Sequence, residues 1–587
     1  MNQTRSFLLL AWLAVAAWLL MEWNRAPDAA APATTAATLT TASPASAAPV
    51  ETAAPLPGAA PAGSNDTTIA APLPAGANGA PAPAVANPAA GVRTITLSND
   101  RLRLVIDLDG GRVLSAQLLQ YTVEKKPGSP NVQLLDAGAG RYYVADAGLI
   151  LVDAAKRQNE LPLHFQAASA TYALAPGAAA ATAKLQSRDE ATGLGVQRTL
   201  SLRRGSYVLE LHDAVANSGT SAQQLYPFVR LSRVAPPAPP KHSFVTNPDS
   251  FSFVGSAWYT PDEHLQKAPF GGDYIKEATP AGDTAGGWIA MLQHHFVSAW
   301  VPTASEKQRL QTSVSSIGGV PLYQLRSVAA PLALAPGAQA THDSRLWVGP
   351  KLQSQMKALA PSLTISVDYG RLAFISRPLF WLLEHLHELL GNWGWSIIAI
   401  VVILKALLYW PSKKQYQSMA KMRAVQPRIE ALKERYGDDK QALNVAMFEL
   451  YKKEKVNPAA GCWPILVQMP IFLGLYWVLI ETAELRHAAW FGWVQNLTAP
   501  DPYFVLPALN LLVMFLTQRL TPTPGMDPMQ KKMMQTMPLV FGVMMAFFPA
   551  GLVLYWVTNG GLGLLQQWWM LRKYGPQKPA ATGTISR

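Results

Sequence analysis

The residue best placed to do chemistry is a lysine where a lysine is costly. Lys405 lies inside the apolar run Gly391–Pro411, which has tryptophans near both ends and suits a membrane-spanning helix. An ammonium in hydrocarbon costs roughly 2.5–3.5 kcal/mol on insertion scales, so it is either rescued or used. Rescue by snorkelling is open to it, because Pro411 is only about 9 Å of helix further on. Use is the other reading: in a wet cavity it would attract a carboxylate at ~4 Å by about 4 kcal/mol at an effective dielectric of 20. Other candidates fail on spacing. His294 and His295 are neighbours in the strand-like run Gly287–Val301, so on a strand they face opposite sides and cannot share a metal. Glu384, His385, His387 and Glu388 sit in a helical pattern, yet His-x-His puts the two rings on different faces, unlike a zinc helix. No acid and base at usable spacing stand out. Neither a catalytic residue nor a metal site is expected.

The elements that would position Lys405 follow from composition. The chain has 587 residues, 49% hydrophobic content and a formal charge of +12. Its basic residues cluster beside apolar spans, which points to membrane topology and away from DNA. With one cysteine, Cys462, no intrachain disulfide can form, and cysteine usage says nothing about compartment.

In chain order, residues 1–25 read as an uncleaved signal anchor built on Phe7–Met21, with the N-terminus inside. Residues 26–91 are Ala, Pro, Thr, Ser and Gly with few large apolar side chains, a disordered tether. Residues 92–349 carry alternating runs and turn signals, giving an all-β domain of sandwich type. Arg101–Leu108 runs into the turn Asp109–Gly111, and Arg203–Ser206 reads as the turn of a hairpin. Residues 350–390 contain an amphipathic stretch, Tyr369–Leu390, suited to a helix lying in the interface.

Residues 391–573 form a core of five spans: Gly391–Pro411, then about 464–480, 503–518, 533–548 and 551–570. Between the first two, 412–456 is a helical hairpin broken at Gly437–Asp439, with eleven Lys or Arg against six acids. By the positive-inside rule it is cytoplasmic, and Lys413, Lys414, Lys421 and Arg423 are its candidate docking cations. The alternation places both termini inside, the β domain outside and six spans in all, with 574–587 a cytoplasmic tail.

With that topology Lys405, Gln468, Thr517, Gln518, Gln535, Thr536, Gln566 and Gln567 fall in the cytoplasmic halves of their spans. Thr558 and Asn559 reach about the midplane. The outer halves, such as 472–480 and 503–509, are almost bare of polar side chains. The pattern describes a cavity open to the cytoplasm and closed outward. A solute transporter would need a polar path all the way through. A sugar-acting β domain would need a paired acid and base.

Five segments resemble one family: Gln415–Arg423, Gly437–Gln441, Lys455–Pro458, Gly461–Phe472 and Phe547–Tyr555. They are similar to the Gram-negative form of the YidC/Oxa/Alb insertases, over a five-helix core of about 370–573. The resemblance implies a mutarotase-like supersandwich for the outer domain and a bacterial inner-membrane protein with 92–349 periplasmic. It also implies insertion of nascent membrane proteins into the phospholipid bilayer, alone or with the Sec translocon and the ribosome, through a groove holding one cation and no cofactor. The resemblance implies Lys405, Gln468 and Trp556 as groove positions, and the candidate groove set is completed by Tyr555, Asn559, Gln518 and Thr517. Lys405 stands where the family usually has arginine, which keeps the charge and loses the bidentate fork. Trp556 stands where many relatives have tyrosine.

Overall fold

The computed structural model describes residues 94–574 except 139, 154, 238–251, 273, 279, 281, 304–305, 438, 455–462 and 522–527. The expected signal anchor, tether and C-terminal tail lie outside the described residues.

The first half is two facing sheets, of twelve and nine strands, antiparallel except where Thr94–Ser98 runs parallel to Thr171–Ala173. Alternation sets which face is covered: along Ala180–Asp189 every second residue is buried. The hairpin expected around Arg203–Ser206 pairs Leu194–Arg203 with Val208–Asn217. The turn after Leu102–Asp107 uses Gly110 and Gly111 at φ 95° and 69°. At Gly111 the backbone also needs the space, because a Cβ there would lie 2.5 Å from Arg198 Nη1.

Arg198 is fully buried and bridges the sheets. Its Nε and Nη2 donate to Asp213 at 2.8 and 2.7 Å, and Nη2 also donates to the Ala147 carbonyl at 3.0 Å. Elsewhere in the same sheet as Arg198, Trp258, Trp288, Trp300 and Trp347 are almost wholly buried. Each covers an area worth roughly 4–6 kcal/mol before entropy is counted.

The second half is helical: α1 (Gln353–Leu359), α2 (Ala373–Leu390), α3 (Trp393–Leu407), α4 (Tyr409–Tyr436), α5 (Lys440–Lys453), α6 (Trp463–Glu481), α7 (Val505–Leu520), α8 (Pro528–Met545) and α9 (Ala550–Tyr574). α9 packs against α7, α3 and α4; α2 packs against α3 and α6; α8 packs against α7. Asn392 caps α3 by accepting from the Gly394 and Trp395 amides, while its own amide donates to the Ala489 and Trp490 carbonyls.

The unbroken span expected over Gly391–Pro411 is corrected. α3 stops at Leu407, and the chain turns by 64° into Tyr409–Ser418. Pro411 cannot donate an amide bond and is best tolerated in the first turn of a helix, where α4 places it. The hairpin therefore begins at Tyr409 and not at Ser412. Among the described residues no single helix is long and apolar enough to cross a membrane; the bent pair reaches the length together. Val467–Glu481, Val505–Leu520 and Gln535–Met545 are shorter apolar stretches.

α4 and α5 close on Val425 and Ile429, covered by Met422, Met447, Leu450 and Tyr451. Asp439 caps α5 through the Gln441 and Ala442 amides.

A polar seam joins the two halves. His294 and His295 occupy the turn between strands Trp288–Leu292 and Phe296–Val301, which corrects the strand reading. A turn frees both rings to point one way. They stack at 3.7 Å, and both Nε2 atoms reach the Ile480 carbonyl, at 3.1 and 2.9 Å. Ser252 donates to Glu481 at 2.7 Å, the Gln353 amide to Glu484 at 2.8 Å, and Arg486 to the Val123 carbonyl at 3.1 Å. In α2, His387 stacks on Trp393 at 3.9 Å while His385 bonds the Trp381 carbonyl. Among the described residues no three His, Cys, Asp or Glu converge as metal ligands.

Candidate functional site

α9 is the spine of the site. Residues four apart on a helix share a face, so Tyr555, Asn559 and Gly563 form one stripe about 12 Å long. At one end, Gln468 of α6 donates to the Tyr555 hydroxyl at 3.2 Å. Tyr555 is almost fully buried and stacks on Phe472, ring centroids 5.9 Å apart. Trp556 meets the same Phe472 edge-on at 4.8 Å, with its indole Nε1 buried and without a partner.

At the other end Lys405 lies beside Gly563. A Cβ there would stand 3.6 Å from Lys405 Nζ, and the Gly563 carbonyl accepts from the Tyr416 hydroxyl at 3.2 Å. Lys405 is half-buried, and among the described residues no carboxylate lies within ion-pair distance of it. Asn559 is half-buried between the two ends. Lys405, Gln468, Tyr555 and Asn559 thus share one stripe, with Trp556 beside it.

Thr517 and Gln518 come from α7, which meets a different face of α9. Val513 there would lie 2.9 Å from a Cβ at Gly560, and the Thr517 hydroxyl is spent on the Val513 carbonyl at 2.8 Å. Further along, buried Gln567 donates to Thr521 at 3.3 Å. Gln535 and Thr536 lie exposed on α8, away from Lys405. Of the docking cations, Lys414 and Lys421 are exposed and Lys413 half-buried on α4, the helix that also carries Arg423.

Two members escaped the sequence reading. Tyr416 falls on the hairpin's apolar stripe, and only the bend at Leu408 turns it back toward Gly563. Asn510, buried on α7, is a lone amide in an apolar helix and was detectable on that ground.

Two family models divide the described chain between them. The YidC periplasmic domain model matches residues 94–382, and the 60Kd inner membrane protein model matches 385–577. Membrane protein insertase YidC of Stenotrophomonas maltophilia (strain R551-3) is 47% identical over 607 aligned residues, covering 99% of this chain and 98% of the relative. The chain belongs to the YidC membrane protein insertase family. Its namesake in Xanthomonas campestris pv. campestris (strain ATCC 33913) is 46% identical, with 99% of each chain covered. A crystal structure of an active YidC insertase, 16% identical, aligns over 81% of this chain and 93% of its own at a TM-score of 0.38. That superposition is too loose to add to the assignment. YidC is by name an insertase and not an enzyme, which accords with a site made of one cation, two amides and aromatic rings.

Proposed function

We propose that this chain is a membrane protein insertase of the bacterial inner membrane whose working surface is the α9 stripe from Tyr555 to Gly563. In this reading both termini are cytoplasmic, six segments span the bilayer, and residues 92–349 are periplasmic. Nascent membrane proteins enter from the cytoplasm, from the ribosome and alone or with the Sec translocon. The bent pair Trp393–Leu407 and Tyr409–Ser418 reaches spanning length, and Ala550–Tyr574, at 25 residues about 37 Å, has the length without the apolarity; in this reading the shorter apolar helices cross where the bilayer is locally thin.

One observation carries the reading: a half-buried ammonium beside a glycine, with no carboxylate within ion-pair distance among the described residues. Such a group is available to a passing carboxylate. The attraction, about 4 kcal/mol at an effective dielectric of 20 before screening, offsets desolvation of the client's charge yet stays weak enough to release it.

The test pairs two clients, one with an acidic translocated segment and one neutralised, in reconstituted vesicles. Lys405→Arg should insert both. Lys405→Gln and Lys405→Glu should lose the acidic client selectively, Lys405→Glu more severely. Photocrosslinkers at Gln468 and Asn559 should capture nascent chains. Equal insertion of both clients by all variants would leave Lys405 a snorkelling bystander.

A further inference from the structure

Four aromatic–cation pairs recur at one spacing near the Lys405 end of the helices. On α4, Lys414 Nζ lies over the Trp410 ring at 3.8 Å. On α7, Arg519 lies over Phe515 at 4.6 Å. On α9, Arg572 lies over Trp568 at 4.9 Å and Lys573 over Trp569 at 5.1 Å. In every pair the cation follows the ring by four residues, one helical turn. Each ring is exposed over 44% or more of its surface, and all four cations are exposed. Among the described residues no carboxylate lies within ion-pair distance of Lys414, Arg519 or Arg572.

Two cross-helix bonds tie together the helices that carry these pairs. Tyr416 to Gly563 ties the root of α4 to α9, and Gln567 to Thr521 ties α9 to the end of α7. All four pairs sit within about two turns of one of these ties. Helix polarity accounts for cations in the last turns of α7 and α9. It does not account for Lys414, which lies near the N-terminus of α4, where a helix dipole disfavours positive charge. The opposite ends of the helices also expose aromatics, among them Trp395, Phe491, Tyr503 and Phe504. Among the described residues none of those rings carries a cation. The cations therefore mark one end of the bundle and not exposed rings in general.

We propose that this ring of pairs is a binding belt for anionic phospholipid headgroups of the cytoplasmic leaflet. The exposed ring seats at the glycerol level, and the cation held above it meets the phosphate. The inference rests on the membrane reading given above, and it adds a preference for headgroup charge that insertion itself does not require.

The test uses the full chain in phosphatidylcholine vesicles doped with spin-labelled phosphatidylglycerol or spin-labelled phosphatidylcholine. Electron paramagnetic resonance then reads the motionally restricted lipid fraction. The wild type should select phosphatidylglycerol about fivefold, the ratio expected for one basic group near an anionic surface. K414Q/R519Q/R572Q/K573Q should bring that ratio to about one, while K414R/R519K/R572K/K573R should retain it. No preference in the wild type, or an undiminished preference in the glutamine variant, would overturn the belt. Loss of the preference in millimolar inorganic phosphate would reassign the pairs to a soluble anion and overturn it as well. Absence of any restricted component with either lipid would instead overturn the membrane reading.

Discussion

The two halves of the molecule treat buried charge in opposite ways. In the β half Arg198 is closed on Asp213 by two hydrogen bonds and on the Ala147 carbonyl by a third, with its remaining Nη1 buried out of reach of solvent. In the helical half Lys405 is only half-buried, lies beside Gly563 and, among the described residues, has no carboxylate within ion-pair distance. The closed pair joins neighbouring strands of one sheet, and the bond to Ala147 ties that sheet to the other. An open cation costs free energy and is retained for what it can meet.

The contrast breaks most visibly at Asp213. Asp213→Ala leaves a buried guanidinium unpaired and should cost about 3–5 kcal/mol. Chemical denaturation followed by β-sheet circular dichroism would show it. Lys405→Gln should cost no stability, because it removes an ammonium that burial already penalises. Similar losses for the two variants would erase the distinction between closed and open charge.

A middle-sized effect belongs to the junction that carries the Lys405 helix. At Gly394 a Cβ would fall 2.1 Å from the Trp490 ring, beside the Asn392 cap. Gly394→Ala should destabilise the α3 start by about 1–3 kcal/mol through overpacking. It should lower insertion of acidic and neutral clients alike, unlike any change at Lys405. A client-selective defect would show that α3 placement and Lys405 charge are not separable.

The smallest effect is at the seam where the two treatments meet. Burial raises the Glu484 carboxyl to about 7, with Glu384 adding to the rise and the Gln353 amide opposing it. A carboxyl whose folded pKa exceeds its unfolded value keeps its proton longer in the folded state. The stability it contributes is present at low pH and is lost as pH climbs from about 4.5 through 7. Lys351, lowered by burial to about 8, acts in the other window: its contribution rises as pH goes from about 8 to 10.5. The protection factor of the Gln353 amide, corrected for intrinsic exchange, should fall between pH 5 and 7.5. Glu484→Gln should flatten that fall. An unchanged slope in the variant would remove Glu484 from the seam's pH response.

How much of this the sequence disclosed depended on range. The hairpin at Arg203–Ser206 and the helical break at Gly437–Asp439 are local, and turn chemistry announces them. Lys405 and Gln468 were visible because polar groups are conspicuous in apolar runs. The 64° turn at Leu408 was hidden, since an apolar composition looks the same straight or bent. His294 and His295 were assigned to a strand because the run around them is continuous in hydropathy, and only pairing shows where the hairpin turns. The seam joins residues such as Val123 and Arg486, far apart in the chain, and nothing local marks either one.

The bond from Tyr416 to Gly563 makes a fulcrum of the residue against which Lys405 rests. From Tyr416 the rod of α4 extends about 30 Å outward to the hairpin turn at Tyr436 and about 12 Å inward to the bend at Leu408. If α4 turns as a rigid lever on that bond, a displacement at the tip arrives at Leu408 reduced only about 2.5-fold. Lys405 stands less than one helical turn beyond. A 5 Å tug on the hairpin by whatever holds it would then shift the footing of the cation by about 2 Å, half the reach of an ion pair.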